Sequence, residues 1–307
     1  MSEAVLAPSA RTNPPASIPL PLLVGAFVLL WSSAFAVGKV AIADCPPLLF
    51  LAARFLAAGI LMMGLAAATG TRWTLSKRDV LVFAALGIVS QAMFLGIGFI
   101  ALETVSSGLA ALIISSNPII AAIFAVLLLG ERMTWSKALG LLLGLGGVAF
   151  IVKSRLVLGT DQLGGVALAV LALLAFVGGT ILFKLFAPKH GHWIGNGIQS
   201  LSSGIALMPF AVSFESFHDI VPTWSLATAF AYSVLMVSVF AYLLWFRILT
   251  VSGATAASSY HFLIPPLGIL FGWLLLGEHL DLTDMLGIIP VALGILLVTR
   301  PASNVRN

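Results

Sequence analysis

The chain repeats itself at a fixed interval. Leu-Leu-Leu-Gly-Glu occupies residues 127–131 and returns at residues 274–278, an offset of 278 − 131 = 147 residues. The match continues without a gap on both sides, and it places Pro118 on Pro265. Two copies of a half-length unit within 307 residues indicate a repeat architecture.

The composition places both copies in a membrane. Hydrophobic residues make up 60% of the chain and charged residues only 8%, whereas a soluble domain carries about 25% charged residues. The net charge of +4 contains no run of lysine or arginine, so a nucleic-acid partner is not expected. The single cysteine, Cys45, excludes an internal disulfide and a cysteine metal cluster.

The apolar segments predict an all-α polytopic membrane protein with ten transmembrane helices, since about 20 apolar residues cross the hydrocarbon core. The predicted spans are 20–41, 46–69, 79–100, 106–129, 136–153, 163–187, 193–214, 224–248, 254–276 and 283–300. They form a first five-helix repeat at 20–155 and a second at 156–300. Residues 1–19 and 301–307 are predicted to be cytoplasmic tails, the first of them disordered.

Loop charge predicts how the repeats are oriented. With both termini in the cytoplasm, most lysine and arginine residues fall on the inner side. Five spans is an odd number, so the second copy enters the membrane from the opposite side. Arg132 and Lys137 then surround the first turn, while Asp281 and Asp284 surround its twin. An inverted repeat around a central cavity is typical of transporters that work by alternating access. The alternative is a duplication retained only for packing.

Few ionisable residues lie inside the predicted spans, and such residues are usually functional. Arg54 lies in the second span and His261 in the ninth, with no Asp or Glu in the middle of any span. This pattern disfavours an exporter of cationic drugs and an exchanger of phosphate esters, and it favours zwitterions or neutral polar solutes. A structural partner is the favoured interpretation for Arg54, with a substrate carboxylate as the alternative. His261 is either a proton carrier or a donor to a neighbouring carbonyl.

The paired prolines predict free carbonyl groups near the membrane centre. Pro118 removes the hydrogen bond to the Ile114 carbonyl. In the same way, Pro265 would free the carbonyl of His261, and Pro266 that of Phe262. Such carbonyls accept from a substrate ammonium group or remain packing kinks, and the matched repeat positions favour the site.

Polar and aromatic side chains surround these positions. Ser115 and Asn117 lie on span 4 and Tyr260 on span 9, where helix packing is the competing explanation. Trp31 lies at the middle of the first span before two serines, and it is either a candidate stacking surface or part of the core, with Tyr242 of span 8 as a second candidate. Gln91 is a mid-membrane amide suited either to a site or to helix contact.

Taken together, these residues resemble the EamA-type permeases of the drug/metabolite transporter superfamily. The resemblance rests on Trp31-Ser32-Ser33-Ala34-Phe35 with Lys39, on Arg54, and on a proline before each Leu-Gly-Glu, and it covers residues 20–300. It implies two inverted five-helix halves and a cavity lined by helices 1, 3, 4, 6, 8 and 9. Within the family the chain is most similar to YddG-type exporters of aromatic and other neutral amino acids.

The resemblance also implies roles for individual residues. The implied substrate-binding residues are Trp31, Gln91, Ser115, Pro118, Tyr242, Tyr260, His261 and Pro265. The implied structural or gating residues are Arg54, Asn117 and Pro266. The two halves differ chemically, because Asn117 corresponds to Ile264 in the second copy.

The expected function is export of amino acids through the bacterial inner membrane by facilitated diffusion without ion coupling. The expected partners are the amino acid and the lipid bilayer, with no cofactor or metal, and a monomer suffices. The alternative is export of other small metabolites or drugs on the same fold, proton-coupled through His261. An enzyme is not expected, because the spans lack a nucleophile paired with a base. A channel is not expected, because no continuous polar stripe is visible.

Overall fold

A computed structural model describes most of the chain between its two termini. The described residues are 19–117, 119–120, 123–124, 127, 134–157, 159, 161–186, 188, 191–245, 247–248, 251, 260–279 and 282–299. Pro118 and most of both predicted tails lie outside them. The side chains of Ser115, His261 and Pro265 are likewise outside the description, although their backbones lie in helices.

Within these ranges the protein is helical, and no strand occurs. The helices are α1 Leu20–Ile42, α2 Pro47–Ala68, α3 Lys77–Leu102, α4 Ser107–Ser115, α5 Trp135–Val157, α6 Leu163–Phe186, α7 His192–Phe214, α8 Trp224–Trp245, α9 Ile264–Leu276 and α10 Leu282–Thr299. Seven of the described helices are long and apolar enough to cross a membrane, namely α1, α2, α3, α5, α6, α7 and α8. Two shorter apolar helices are Pro266–Leu276 and Met285–Gly294.

The helix ends follow from local sequence. Proline occupies the first turn of both α1 and α2, where a missing N–H removes no helical hydrogen bond. At the start of α3, Ser76 and Asp79 form a reciprocal capping box. At the end of α9, Gly277 has a φ of 65°, the left-handed conformation that favours glycine. The glycine of the second Leu-Gly-Glu therefore ends a helix.

Helices at matched positions of the two repeats contact each other. The most extensive contacts join α2 to α7 and α5 to α10, and α4 also packs against α9. Glycine allows the backbones to approach closely: a methyl group at Gly294 would lie 2.5 Å from the Gly140 carbonyl oxygen. In the same way, a methyl group at Gly59 would lie 2.9 Å from the backbone nitrogen of Leu201. Small residues at such crossings are typical of membrane helices.

The outer surface of the helices is apolar. Leu142 and Phe214 are 73% and 78% exposed, as expected of side chains that meet lipid. Trp135 and Trp224 are exposed at the first residues of α5 and α8, which matches the predicted aromatic belt at the membrane interface.

Candidate functional site

A cavity lies among six helices. About 870 Å³ of empty space, including the part open to the surroundings, is enclosed by residues of α1, α2, α3, α4, α6 and α8. The resemblance implied that helix 9 lines the cavity and that helix 2 does not. Among the described residues α2 contributes to the wall and α9 does not.

The walls of this cavity are mostly aromatic. The aromatic lining residues are Trp31, Phe35, Phe55, Phe94, Phe99, Phe176 and Tyr242. The polar lining residues are Arg54, Ser90 and Tyr242. Such a cavity suits a ligand with a flat or flexible apolar part and one or two polar groups.

Trp31 and Tyr242 form one corner of the wall. Their ring centroids are 5.9 Å apart in an edge-to-face arrangement, which is favourable for aromatic rings. Phe27 supports Trp31 from within α1 at 5.5 Å, and Trp245 stacks on Phe27 at 5.2 Å. These contacts between successive aromatic rings hold Trp31 in its orientation before a ligand binds.

Arg54 brings a positive charge into this apolar wall. Its side chain is 3% exposed, and its Nε donates to the Ser238 hydroxyl at 3.0 Å. The guanidinium carbon lies 5.5 Å from the Phe55 ring centroid. In the described part of the chain no Asp or Glu lies within ion-pair distance of Arg54. Asp44, which precedes α2, accepts a hydrogen bond from the Thr223 hydroxyl instead.

Gln91 lies behind the wall, not on it. It is 1% exposed, and its Nε2 donates to the Tyr242 hydroxyl at 3.4 Å and to Asn196 Oδ1 at 3.5 Å. Its Oε1 accepts from Ser203 Oγ at 3.2 Å, while Asn196 Nδ2 donates to the Ser238 carbonyl at 3.3 Å. These bonds join α3, α7 and α8 and orient the Tyr242 hydroxyl.

Two π-helical segments carry Gln91 and Ser238 of this polar network. They are Ile88–Met93 within α3 and Ser233–Ala241 within α8. Adding the repeat offset of 147 to 88–93 gives 235–240, which lies inside the second segment. The same offset places Gln91 on Ser238. A π-helical turn inside an α-helix is rare and frequently occurs at a functional site. Both copies of the repeat therefore have this rare backbone conformation at the same repeat position.

Matched interruptions occur where the prolines were predicted to bend the chain. Helix α4 ends at Ser115, and Ser116 forms a turn before Asn117 and Pro118. Asn117, directly before the proline, is helical again, so the break lies two residues before Pro118. In the second copy a 3-10 turn at Tyr260–Leu263 precedes α9.

The structure corrects the prediction for Pro265 and Pro266. The sequence suggested that both lie within a continuous helix over 254–276 and free the carbonyls of His261 and Phe262. In the structure α9 begins at Ile264, so both prolines occupy its first turn. The N–H groups of a first turn have no intrahelical partner, so these prolines break no helical bond.

The glutamate of the second Leu-Gly-Glu connects three parts of the molecule. Glu278 accepts from the Ser107 backbone N–H at 2.7 Å and from the Gly108 N–H at 3.2 Å, at the start of α4. Lys39 of α1 lies 3.7 Å from Glu278 and donates to the Val105 carbonyl at 2.7 Å. A carboxylate at a helix N-terminus is stabilising because it satisfies free N–H groups and meets the positive end of the helix dipole.

Other acids of the predicted outer loops act in the same way. Glu215 accepts from the backbone N–H groups of Leu48 and Leu49 at 2.9 and 2.7 Å, which caps α2. Asp161 accepts from the Ser106 backbone N–H, beside the first turn of α4.

The predicted site residues are thus only partly brought together. Trp31 and Tyr242 line the cavity, as does Arg54, which was assigned a structural or gating role. Tyr260 instead packs half-buried in an apolar cluster beside α1. Pro266 is exposed, and the buried Asn117 Oδ1 has no hydrogen-bond partner among the described residues. The predictions for the Ser115, Pro118, His261 and Pro265 side chains lie outside the described residues.

One buried polar stripe escaped the sequence analysis. It consists of Asn196, Gln199, Ser200 and Ser203 on α7, each at most 8% exposed. The spacing i, i+3, i+4, i+7 puts all four on one helix face, and this pattern was visible in the sequence. Groups of three or more metal-ligating side chains are absent from the residues that the structure describes.

Comparison with known proteins identifies the family. The model of the EamA-like transporter family matches residues 20–153 and again residues 163–300. The chain therefore belongs to the EamA-like transporter family and is a multi-pass membrane transporter. A solved crystal structure is similar with a TM-score of 0.64 at 18% identity, covering 91% of this chain and 96% of that one, and it supports the fold alone.

Several relatives match over most of their length. The uncharacterized transporter YvbV of Bacillus subtilis is 28% identical over 90% of each chain. The uncharacterized inner membrane transporter YedA of Escherichia coli K12 is 25% identical over 91% of each chain. The S-adenosylmethionine/S-adenosylhomocysteine transporter of Chlamydia muridarum is 29% identical over 84% of this chain and 83% of its own.

Proposed function

We propose that this member of the EamA-like family exports aromatic and other neutral amino acids through the bacterial inner membrane by facilitated diffusion. The observation that carries the proposal is the aromatic cavity with Arg54 in its wall. An amino acid with an apolar side chain presents a flat or flexible apolar part and a charged end, and the cavity offers a surface for each. The proposal takes a monomer as the working unit.

The charge of the cavity supports this substrate class over organic cations. Its lining contains one arginine and no Asp or Glu among the described residues. A cation entering this cavity would meet a positive side chain in a low-dielectric wall, which is unfavourable. Export of a neutral or zwitterionic solute avoids that cost.

Alternating access by inverted repeats is part of the same proposal. The contacts of α2 with α7 and of α5 with α10 join matched positions of the two copies. The π-helical segments and the helix interruptions also recur at the repeat offset. Loop charge supports opposed orientations with both termini in the cytoplasm. Exchange of conformations between two such halves would open the cavity to either side.

S-adenosyl compounds are a second candidate substrate. The relative from Chlamydia muridarum is described as a transporter of S-adenosylmethionine and S-adenosylhomocysteine. S-adenosylhomocysteine combines an aromatic base and a thioether with an amino-acid end, so the same cavity chemistry applies to it, whereas the additional sulfonium charge of S-adenosylmethionine would be disfavoured beside Arg54. A proton-coupled form of either activity would use His261.

Transport by purified protein in liposomes tests the proposal. Uptake of radiolabelled phenylalanine should follow its concentration gradient without an imposed pH gradient and should exceed that of empty liposomes. S-adenosylhomocysteine is assayed in parallel as the second candidate. A requirement for a pH gradient that disappears in His261→Ala would replace the uncoupled mechanism with the coupled one. Absence of uptake of any amino acid would reject amino-acid transport.

A further inference from the structure

We infer that Arg54 determines substrate specificity in this cavity by binding the α-carboxylate of the transported molecule. The inference rests on the proposed amino-acid transport and names the residue that recognises the amino-acid end. It applies equally to S-adenosyl compounds, since they carry the same carboxylate.

The hydrogen bonds of Arg54 leave much of its binding capacity unused. A guanidinium has five N–H donors in a fixed plane. Among the described residues, only Nε finds an acceptor, the Ser238 hydroxyl at 3.0 Å. The residue is 3% exposed and lines the cavity. The remaining donors therefore sit beside space that a ligand can occupy.

The environment makes an anionic ligand the natural partner. A buried charge is costly unless an opposite charge and hydrogen bonds compensate it. The Ser238 hydroxyl and the Phe55 ring compensate it in part. No carboxylate of the described chain completes the pair. Arginine matches a carboxylate with two parallel N–H···O bonds, which makes a substrate carboxylate a geometrically suited acceptor.

The rest of the wall accounts for the other end of the ligand. Phe94 and Phe176 stack with ring centroids 4.7 Å apart, and Trp31 lies in the same cavity. A molecule whose carboxylate binds Arg54 presents its apolar part to these rings. The wall would then select for carboxylates with aromatic or thioether side chains and against amines that lack a carboxylate.

A purely structural role is the competing explanation. Through Ser238, Arg54 connects α2 to the π-helical segment of α8, and in this explanation the bond serves only to position the two helices. The two explanations differ in what happens when Ser238 is changed. If the bond is the whole role, Ser238→Ala and Arg54→Gln have the same effect.

Ligand binding in detergent separates the two roles. The apparent affinity is read from ligand-induced thermal stabilisation, with L-phenylalanine and L-phenylalaninamide as probes. Wild type and Ser238→Ala should both prefer phenylalanine over the amide by about tenfold or more, the scale of one charge-assisted interaction. Arg54→Gln should lose this preference through weaker binding of phenylalanine, with the affinity for the amide unchanged. An unchanged preference in Arg54→Gln, or an equal loss of both ligands in Arg54→Gln and Ser238→Ala, would overturn the inference.

Two further arms keep the test decisive. If Arg54→Gln does not fold, Arg54→Lys replaces it in the test. Lysine keeps the positive charge but lacks the planar guanidinium that binds a carboxylate with two parallel hydrogen bonds. Arg54→Lys should therefore bind phenylalanine several-fold more weakly, with the affinity for the amide unchanged. An unchanged affinity of Arg54→Lys for phenylalanine would then overturn the inference. Wild type that binds 3-phenylpropanoate but no amino acid would reject amino-acid transport and retain the role of Arg54. Wild type that binds phenethylamine as tightly as 3-phenylpropanoate would reject that role.

Discussion

Arg54 and Gln91 are both buried polar side chains within predicted spans, yet they lie on different sides of the cavity wall. Arg54 lines the cavity, while Gln91 lies behind it and donates to the Tyr242 hydroxyl. The resemblance implied a substrate-binding role for Gln91, and Arg54 was expected to have a structural or gating role. The positions favour the reverse assignment, because the hydrogen-bonding groups of Gln91 already have partners within the protein, among them Asn196 and Ser203.

Trp31 should be the aromatic residue whose loss most weakens ligand binding at the Tyr242 corner. We expect Trp31→Ala to lower the affinity for phenylalanine about tenfold, because an aromatic pair contributes about 0.5–1.5 kcal/mol beyond buried area. Trp31→Phe should lower it only about twofold, since a ring remains. The measurement is the same thermal-stabilisation titration in detergent.

Trp224→Ala is the matched control for this prediction. Trp224 is 87% exposed at the start of α8, outside the cavity wall. Its substitution should leave phenylalanine affinity unchanged. If Trp31→Ala behaved as Trp224→Ala does, Trp31 would not contact the substrate.

At the scale of elements, helix ends organise the predicted outer side of the molecule. Glu278 and Glu215 each follow one helix and accept hydrogen bonds from the free N–H groups at the start of another. The bond from Leu48 to Glu215 spans 167 residues of sequence, and the bond from Ser107 to Glu278 spans 171. The caps tie α9 to α4 and α7 to α2. Because Lys39 also contacts Glu278, α1 joins the first of these connections.

Removal of the Glu278 carboxylate should destabilise the fold. Glu278→Ala leaves the first turn of α4 without its acceptor, and hydrogen bonds to a charged group contribute about 1.5–3 kcal/mol. Glu278→Gln retains one acceptor oxygen and should cost less. The measurement is the thermal unfolding temperature in detergent, which should fall in the order wild type, Glu278→Gln, Glu278→Ala.

Glu103→Gln provides the control for the cap. Glu103 is exposed and follows α3 on the same predicted side of the membrane. Its substitution should leave the unfolding temperature nearly unchanged. An equal fall for Glu103→Gln and Glu278→Ala would mean that general outer-side charge, and not the cap, stabilises the protein.

At the scale of the whole molecule, the repeat governs which helices meet. Helices α2 and α7 occupy matched positions, as do α5 and α10, and each pair packs closely through glycine. Such pairing is expected when two copies surround one axis. Whether the copies are inverted depends on the side of the membrane that each loop occupies.

Cysteine labelling measures that topology. In a Cys45→Ala background, an impermeant maleimide added to intact spheroplasts should label His218→Cys, in a predicted outer loop, and not Thr74→Cys, in a predicted inner loop. Both positions are exposed. Lysis should make Thr74→Cys reactive, which controls for intrinsic reactivity. Labelling of Thr74→Cys before lysis would contradict the predicted orientation.

The native cysteine should interfere little with this experiment. Cys45 is buried between α1 and α2, and burial, with a smaller effect from Glu215, raises its pKa to about 11. The thiol is therefore protonated at neutral pH and a poor nucleophile. The unmodified protein should show almost no labelling at pH 7.

The sequence by itself determined the membrane environment, the repeat and the family. These depend on hydropathy, spacing and local motifs, which are properties of neighbouring residues along the chain. It also singled out Trp31 and Tyr242 as candidates, and both line the cavity.

Only the tertiary structure decided which polar groups meet. The Arg54–Ser238, Gln91–Asn196 and Glu278–Ser107 contacts join residues more than 100 positions apart. Helical periodicity shows which face is polar but not which other helix that face meets. The predicted span 254–276 likewise placed Pro265 in the interior of a helix, whereas α9 begins at Ile264 and its first turn holds both prolines.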